Sequence, residues 1–109
     1  MAMYLVQTSY TTQALSILIK NPQNRTEVVR KAAEKFGGKL VGQWLSFGDY
    51  DVTCIFEMPD NVSAAALSLA VSAGGTVTGT KTTPLLTIDE GMAALKKAGT
   101  SSYKPVSAK

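Results

Sequence analysis

The stretch KLVGQWLSFGDYDVTCIFEM, residues 39–58, decides the fold. Two runs rich in aliphatic, aromatic and β-branched residues flank Gly48-Asp49. That pattern predicts a β-hairpin, with glycine first in a two-residue type II′ loop. With such a turn Phe47 faces Tyr50, Leu45 faces Val52, Gln43 faces Cys54 and Val41 faces Phe56. This side is mostly apolar and is expected to pack on helices. The other side pairs Ser46 with Asp51, Trp44 with Thr53, Gly42 with Ile55 and Leu40 with Glu57. It is mixed, and Trp44, Leu40 and Ile55 are too apolar for open water.

Upstream, residues 3–9 read as a strand, being short and rich in apolar and β-branched residues. Thr11 or Thr12 can cap a short helix through Ile19, because a hydroxyl accepts an orphan helix N–H. Asn21-Pro22 ends that helix, and Asn21 is expected to cap a second one with Pro22 at its first position. The second helix reads through to about Phe36, with Val28, Ala32 and Phe36 on one stripe and Val29 and Ala33 beside it. Gly37-Gly38 supplies a left-handed stop. Downstream, Pro59-Asp60-Asn61 breaks the strand and caps a helix from Val62 to about Ala73 that carries no charge. Gly75 to about Thr82 reads as a strand limited by Pro84. Thr87 and Glu90 form a capping box for a last helix ending near Ala98, stopped by Gly99.

The order is β-α-β-β-α-β plus a terminal helix, an α+β fold of the ferredoxin-like kind. It implies a four-stranded antiparallel sheet with helices on one face. The bare face, holding Trp44, Ile55 and Leu40, is an expected interaction surface. Its simplest cover is a second copy, sheet to sheet, in a symmetric dimer. One domain, 1–98, is expected, followed by a mobile basic tail, 99–109.

Composition narrows the chemistry. The chain has 109 residues, no His and a single Cys. No internal disulfide can form, and Cys–His pairs and His-ligated metals are excluded. Residues 96–109 hold four lysines and no acid, whereas residues 1–95 hold seven basic and eight acidic residues. The positive charge therefore belongs to the end of the chain. With Tyr103 its only aromatic, that end reads as a solvated tail and not a nucleic-acid arm. Charged residues make up 17% of the chain, below the roughly 25% usual for globular proteins, in keeping with surface covered by another chain. The longest uncharged run, 61–80, is rich in Ser, Thr, Gly and Ala and is split by Gly74-Gly75, unlike a membrane helix. No targeting segment stands at the start, so a cytoplasmic location is expected. Gly74 to Lys81 is similar to a phosphate-binding loop, but its Lys is one position late and the flanking elements are reversed. Asp49 and Asp51 are too sparse for calcium. No metal or cofactor is expected.

Phe47-Gly48-Asp49-Tyr50-Asp51-Val52, followed by Glu57-Met58-Pro59-Asp60, resembles the Gly-x-Tyr-Asp signature of the GYD domain family. Tyr4, the Thr-rich first helix entry, the Asn21-Pro22 break, the Phe36-Gly37-Gly38 stop, the Ala-rich helix and the Gly75–Lys81 strand match as well. The resemblance covers about residues 3–98. It implies a small bacterial protein of the dimeric α/β barrel superfamily and no particular activity. The charge-free helix and the basic tail depart from it.

Five residues form the candidate ligand set: Tyr4, Trp44, Tyr50, Asp51 and Thr53. Asp51 has first a structural reading, bonding local backbone or Ser46. At the mouth of a dimer barrel beside Trp44 and Thr53, it would also offer a carboxylate to a small ligand. Trp44 serves an interface or a pocket floor. Cys54 reads as a buried small hydrophobe and not a reactive thiol. No catalytic residue is assigned. The expected function is a homo-oligomeric module that binds a small molecule or regulates through the barrel cavity. The alternatives are a cofactor-free isomerase or monooxygenase using Asp51 and a Tyr, and an assembly protein alone.

Overall fold

From Val52 to Met58 buried and half-exposed residues alternate without exception, as they do in a strand with one face in a core. The computed structural model, which describes residues 1–107, makes this strand the third of four. The elements are β1 (Ala2–Tyr10), α1 (Thr12–Lys20), α2 (Thr26–Lys35), β2 (Lys39–Leu45), β3 (Val52–Met58), α3 (Asn61–Ala73), β4 (Val77–Leu85) and α4 (Ile88–Ala98). The sheet order is β2-β3-β1-β4 and every pairing is antiparallel. This is the ferredoxin-like plan expected from the sequence. Residues 101–107 belong to no helix or strand. Of the expected tail, Ala108 and Lys109 lie outside the described residues.

The core lies between one sheet face and α2 and α3. Tyr4, Leu40, Val52, Cys54, Phe56 and Met58 come from the sheet, Ala33 from α2, and Ala64 and Leu67 from α3. Fully burying a side chain as large as Phe56 or Met58 contributes about 1.5–3 kcal/mol. The Tyr4 hydroxyl donates to Asn61 Oδ1 at 2.5 Å, tying β1 to the start of α3. Asp60 caps that helix by accepting the Ser63 N–H at 2.8 Å. This bond holds the Asp60 carboxyl below its ordinary pKa.

The end of α2 shows why two glycines follow it. Gly37 has φ of +81°. Its N–H donates to Glu34 O at 3.0 Å and the Gly38 N–H donates to Ala33 O at 2.9 Å. These are the paired bonds of a Schellman stop. A Cβ on Gly38 would lie 2.7 Å from the Glu57 carbonyl oxygen, so glycine also permits the close pass of the chain beside β3.

Four local expectations need correction. The hairpin does not close through a two-residue turn: pairing ends at Leu45–Val52 and residues 46–51 form a longer loop. Phe47 is fully exposed there and is not part of the ladder opposite Tyr50. Leu40 pairs with Phe56 and is buried, so it does not belong to the bare face. The cause is a bulge: Leu40 opposes Phe56 and Gly42 opposes Ile55, leaving Val41 as an extra residue. In a regular strand residues 40 and 44 would share a face; the extra residue reverses the phase between them. The second helix begins at Thr26, not Pro22. Asn21 closes α1 by donating its N–H to Ile17 O at 2.8 Å, and Asn24 Oδ1 instead accepts the Thr26 N–H at 3.0 Å. Finally, Pro84 lies inside β4 opposite Tyr4. An edge strand tolerates the missing N–H.

Candidate functional site

The loop that carries the family-like tetrapeptide is fastened to the far end of β1. The Asp51 N–H donates to Thr8 O at 2.8 Å, and Asp51 Oδ2 accepts the Tyr10 N–H at 2.8 Å. The Ser9 hydroxyl donates to Asp49 O at 2.9 Å. Within the loop the Ser46 N–H donates to Asp51 O and the Ser46 hydroxyl to Tyr50 O. The Asp51 carboxylate thus bonds backbone, but backbone forty-one residues away and not next to it. Gly48 has φ of +127°, which favours glycine at the loop's tip.

On the sheet face away from the helices, the register places Leu5 opposite Ile55 and Ile55 opposite Gly42. Thr53 stands between Gln7 and Trp44. A Cβ on Gly42 would come within 2.6 Å of a Trp44 ring carbon, so the indole lies over Gly42. Trp44 is nonetheless 54% exposed. The Thr53 hydroxyl donates to Ser46 Oγ at 3.3 Å, joining this face to the loop. Of the five candidate ligand residues, Trp44 and Thr53 are therefore cross-strand neighbours, and Tyr50 and Asp51 sit in the loop beside them. Tyr4 is apart from these four, buried on the helix-covered face and bonded to Asn61.

Two features were not singled out from sequence. The first is α4. Its capping box is complete, with the Glu90 N–H donating to Thr87 Oγ1 and the Thr87 N–H to Glu90 Oε1. No residue of α4 is buried, and Ile88, Met92 and Leu95 lie exposed along it with Leu86 just before it. The radius of gyration is 17.6 Å, against about 13 Å for a compact chain of this length. An amphipathic helix that leaves its apolar side uncovered is without its partner surface.

The second feature is a cavity of about 350 Å³ between α2, α3 and the sheet. Cys54 and Phe56 of β3, Thr8 of β1 and Thr80 of β4 face it, with Leu67 and Ser68 on the α3 side. The signal was present in the sequence as the run of short side chains in α3 and the threonines of β4. Small residues on facing elements leave space unless something fills it. Burial pushes the Cys54 thiol up from 9.0 to about 11, with a Gln43 hydrogen bond opposing. The thiol therefore stays neutral at physiological pH. Among the described residues no three His, Cys, Asp or Glu side chains are grouped to hold a metal. Nor is any helix among them long and apolar enough to cross a membrane.

Fold and loop together define a ferredoxin-like α+β protein whose signature hairpin is locked to its first strand. The chain belongs to the GYD domain family, whose model matches residues 4–95. It is also similar to a protein of Thermus thermophilus named glutamine synthetase and cystathionine beta-lyase binding protein. The two are 29% identical over 77 residues, which span 71% of this chain and 81% of that one.

Proposed function

We propose that this chain is a homo-oligomeric binding and regulatory module of the bacterial cytoplasm. Copies pair through the bare sheet face around Trp44, Leu5 and Ile55, closing an α/β barrel. The α4 helix lays its apolar side on a neighbouring copy. The observation that carries this reading is α4 itself, an amphipathic helix with none of its residues buried by its own chain. Isolated helices shorter than about 12–15 residues are marginal in water, so a helix of 11 residues gains its order from a surface outside the protomer. A small molecule at the barrel mouth would meet Trp44, Thr53, Tyr50 and Asp51; Tyr4, buried on the helix-covered face, lies out of its reach. The relative named for binding two enzymes supports a module that works by docking on other proteins.

Light scattering tests the assembly. The native chain should run as a dimer or larger, and Leu95→Glu should lower the mass. A native chain that is monomeric at micromolar concentration overturns the reading. Interferometry against purified glutamine synthetase and cystathionine beta-lyase from the same source then tests the partner class. Native mass spectrometry of the wild type and Trp44→Ala, with a small-metabolite library, tests the barrel ligand.

A further inference from the structure

The cavity between the helices and the sheet lies on the face opposite the proposed pairing surface, so it does not depend on that pairing. Its walls are apolar: Val29 and Ala32 of α2, Leu67 and Val71 of α3, Val6 and Phe56 below. Space on the order of 350 Å³ falls at the small end of ligand sites, and at ~30 Å³ per water-sized group it takes about a dozen such groups.

Polar atoms are few and specific. Thr80 Oγ1 is buried and has no hydrogen-bond partner. A buried hydroxyl left unpaired costs stability, and native proteins keep few of them. The neighbouring Ser68 and Thr82 hydroxyls are already joined to each other at 2.8 Å, so they do not relieve it. Tyr10, Thr76 and Arg25 stand at the end of the cavity where β1 finishes. Arg25 is the one charged residue in the lining, and no carboxylate is present there. Among the described residues the ion pair is Glu27 with Arg30, which leaves Arg25 outside it. The Tyr10 phenol, raised by burial against the pull of Arg25, and the Cys54 thiol are both neutral near pH 7.

We propose that this cavity binds a small monocarboxylic acid with an apolar body and a second oxygen. The carboxylate pairs with Arg25 at the rim, the body lies among Val29, Leu67 and Phe56, and the second oxygen accepts from Thr80 Oγ1. A cation finds no counter-charge in such a lining. A wholly apolar guest leaves both Arg25 and the Thr80 hydroxyl unused.

The test is an amide-resonance titration of isotope-labelled full-length protein with three probes of one shape. Phenylpyruvate carries the carboxylate and a second oxygen, hydrocinnamate the carboxylate alone, and phenylpropanol neither. Expected shifts fall on Thr8, Cys54, Leu67 and Thr80 and not on Leu5 or Trp44. The ranking should be phenylpyruvate, then hydrocinnamate, then phenylpropanol, with about tenfold between acid and alcohol, the usual effect of one charge-assisted bond. Arg25→Gln should erase the acid–alcohol difference. Thr80→Val, which keeps the shape and removes the unpaired hydroxyl, should erase the difference between the two acids. Arg25 is exposed and Thr80→Val leaves no orphan group, so both variants should fold, as an unchanged Tm would show. Equal binding of all three probes, shifts confined to other surfaces, no shifts at all, or variants that preserve the ranking each overturn the proposal.

Discussion

Replacing Asp51 by Ala asks whether the family tetrapeptide is a fastener or a chemical group. The substitution removes the carboxylate that accepts the Tyr10 N–H at 2.8 Å and leaves that half-buried donor unpaired. Hydrogen bonds to charged groups contribute about 1.5–3 kcal/mol, and an orphaned buried donor costs about 1–3 kcal/mol. Partial burial places the loss near 2 kcal/mol. Unfolding entropy of about 2.1 cal/mol/K per residue makes each kcal/mol worth about 4 °C in a chain of this size, hence a Tm lower by about 8 °C. Asp51→Asn retains an acceptor oxygen and should lose about half as much. Asp49 offers only its backbone carbonyl, to Ser9, so Asp49→Ala should change stability by less than about 0.5 kcal/mol. Calorimetry of the three variants measures the series. Equal losses at positions 49 and 51 refute the reasoning, as does a stable Asp51→Ala chain that has lost only partner binding.

Cys54 should resist thiol reagents in the native protein near neutral pH and react on unfolding, followed by mass spectrometry. Its folded pKa lies above its ordinary value, so the stability it lends is complete below about 9 and lost as pH rises toward about 11; Cys54→Ala should flatten that part of a stability–pH profile, whose Tyr10 component persists. Gly38→Ala drives a Cβ to 2.2 Å from Met58 Sδ and 2.7 Å from the Glu57 carbonyl; the second contact is with backbone and cannot swing away. A loss of about 1–3 kcal/mol in denaturant melts is expected, and a neutral effect would show that this crossing is looser than described. Thr87→Ala removes the acceptor of the Glu90 N–H and should weaken α4 by about 1 kcal/mol. Hydrogen exchange should speed up in residues 88–98 while β3 amides stay unchanged.

Much of the architecture was readable because its signals are local. The alternation of Val52, Cys54, Phe56 and Met58, the Asp60 and Thr87 caps and the Gly37-Gly38 stop each depend on a few adjacent residues. What escaped depends on partners far along the chain. The Val41 bulge exists only in relation to β3, and it moved Leu40 into the core while Trp44 stayed outside. Asp51 was singled out, yet its partner at Tyr10 lies on another strand. The late start of α2 follows from Asn21 being taken by the end of α1 and Asn24 serving the helix start. The cavity was hidden for a related reason: short side chains in α3 announce space only once the elements facing them are known.

The placement of β1 between β3 and β4 has a consequence for the order in which the protein can be made. Residues 2–10 are synthesised well before residues 77–85, for which one of their two hydrogen-bonding edges must wait. Domains emerge from the ribosome at about 5–20 residues per second, so β1 spends seconds with an open edge. During that interval the nascent chain displays Leu5 and Val6 on an unpaired strand, the kind of template on which chains stick together. Pairing across so long a separation also slows closure. Premature termination ahead of β4 should therefore give not a smaller stable domain but an aggregation-prone fragment, with β1 as its adhesive edge.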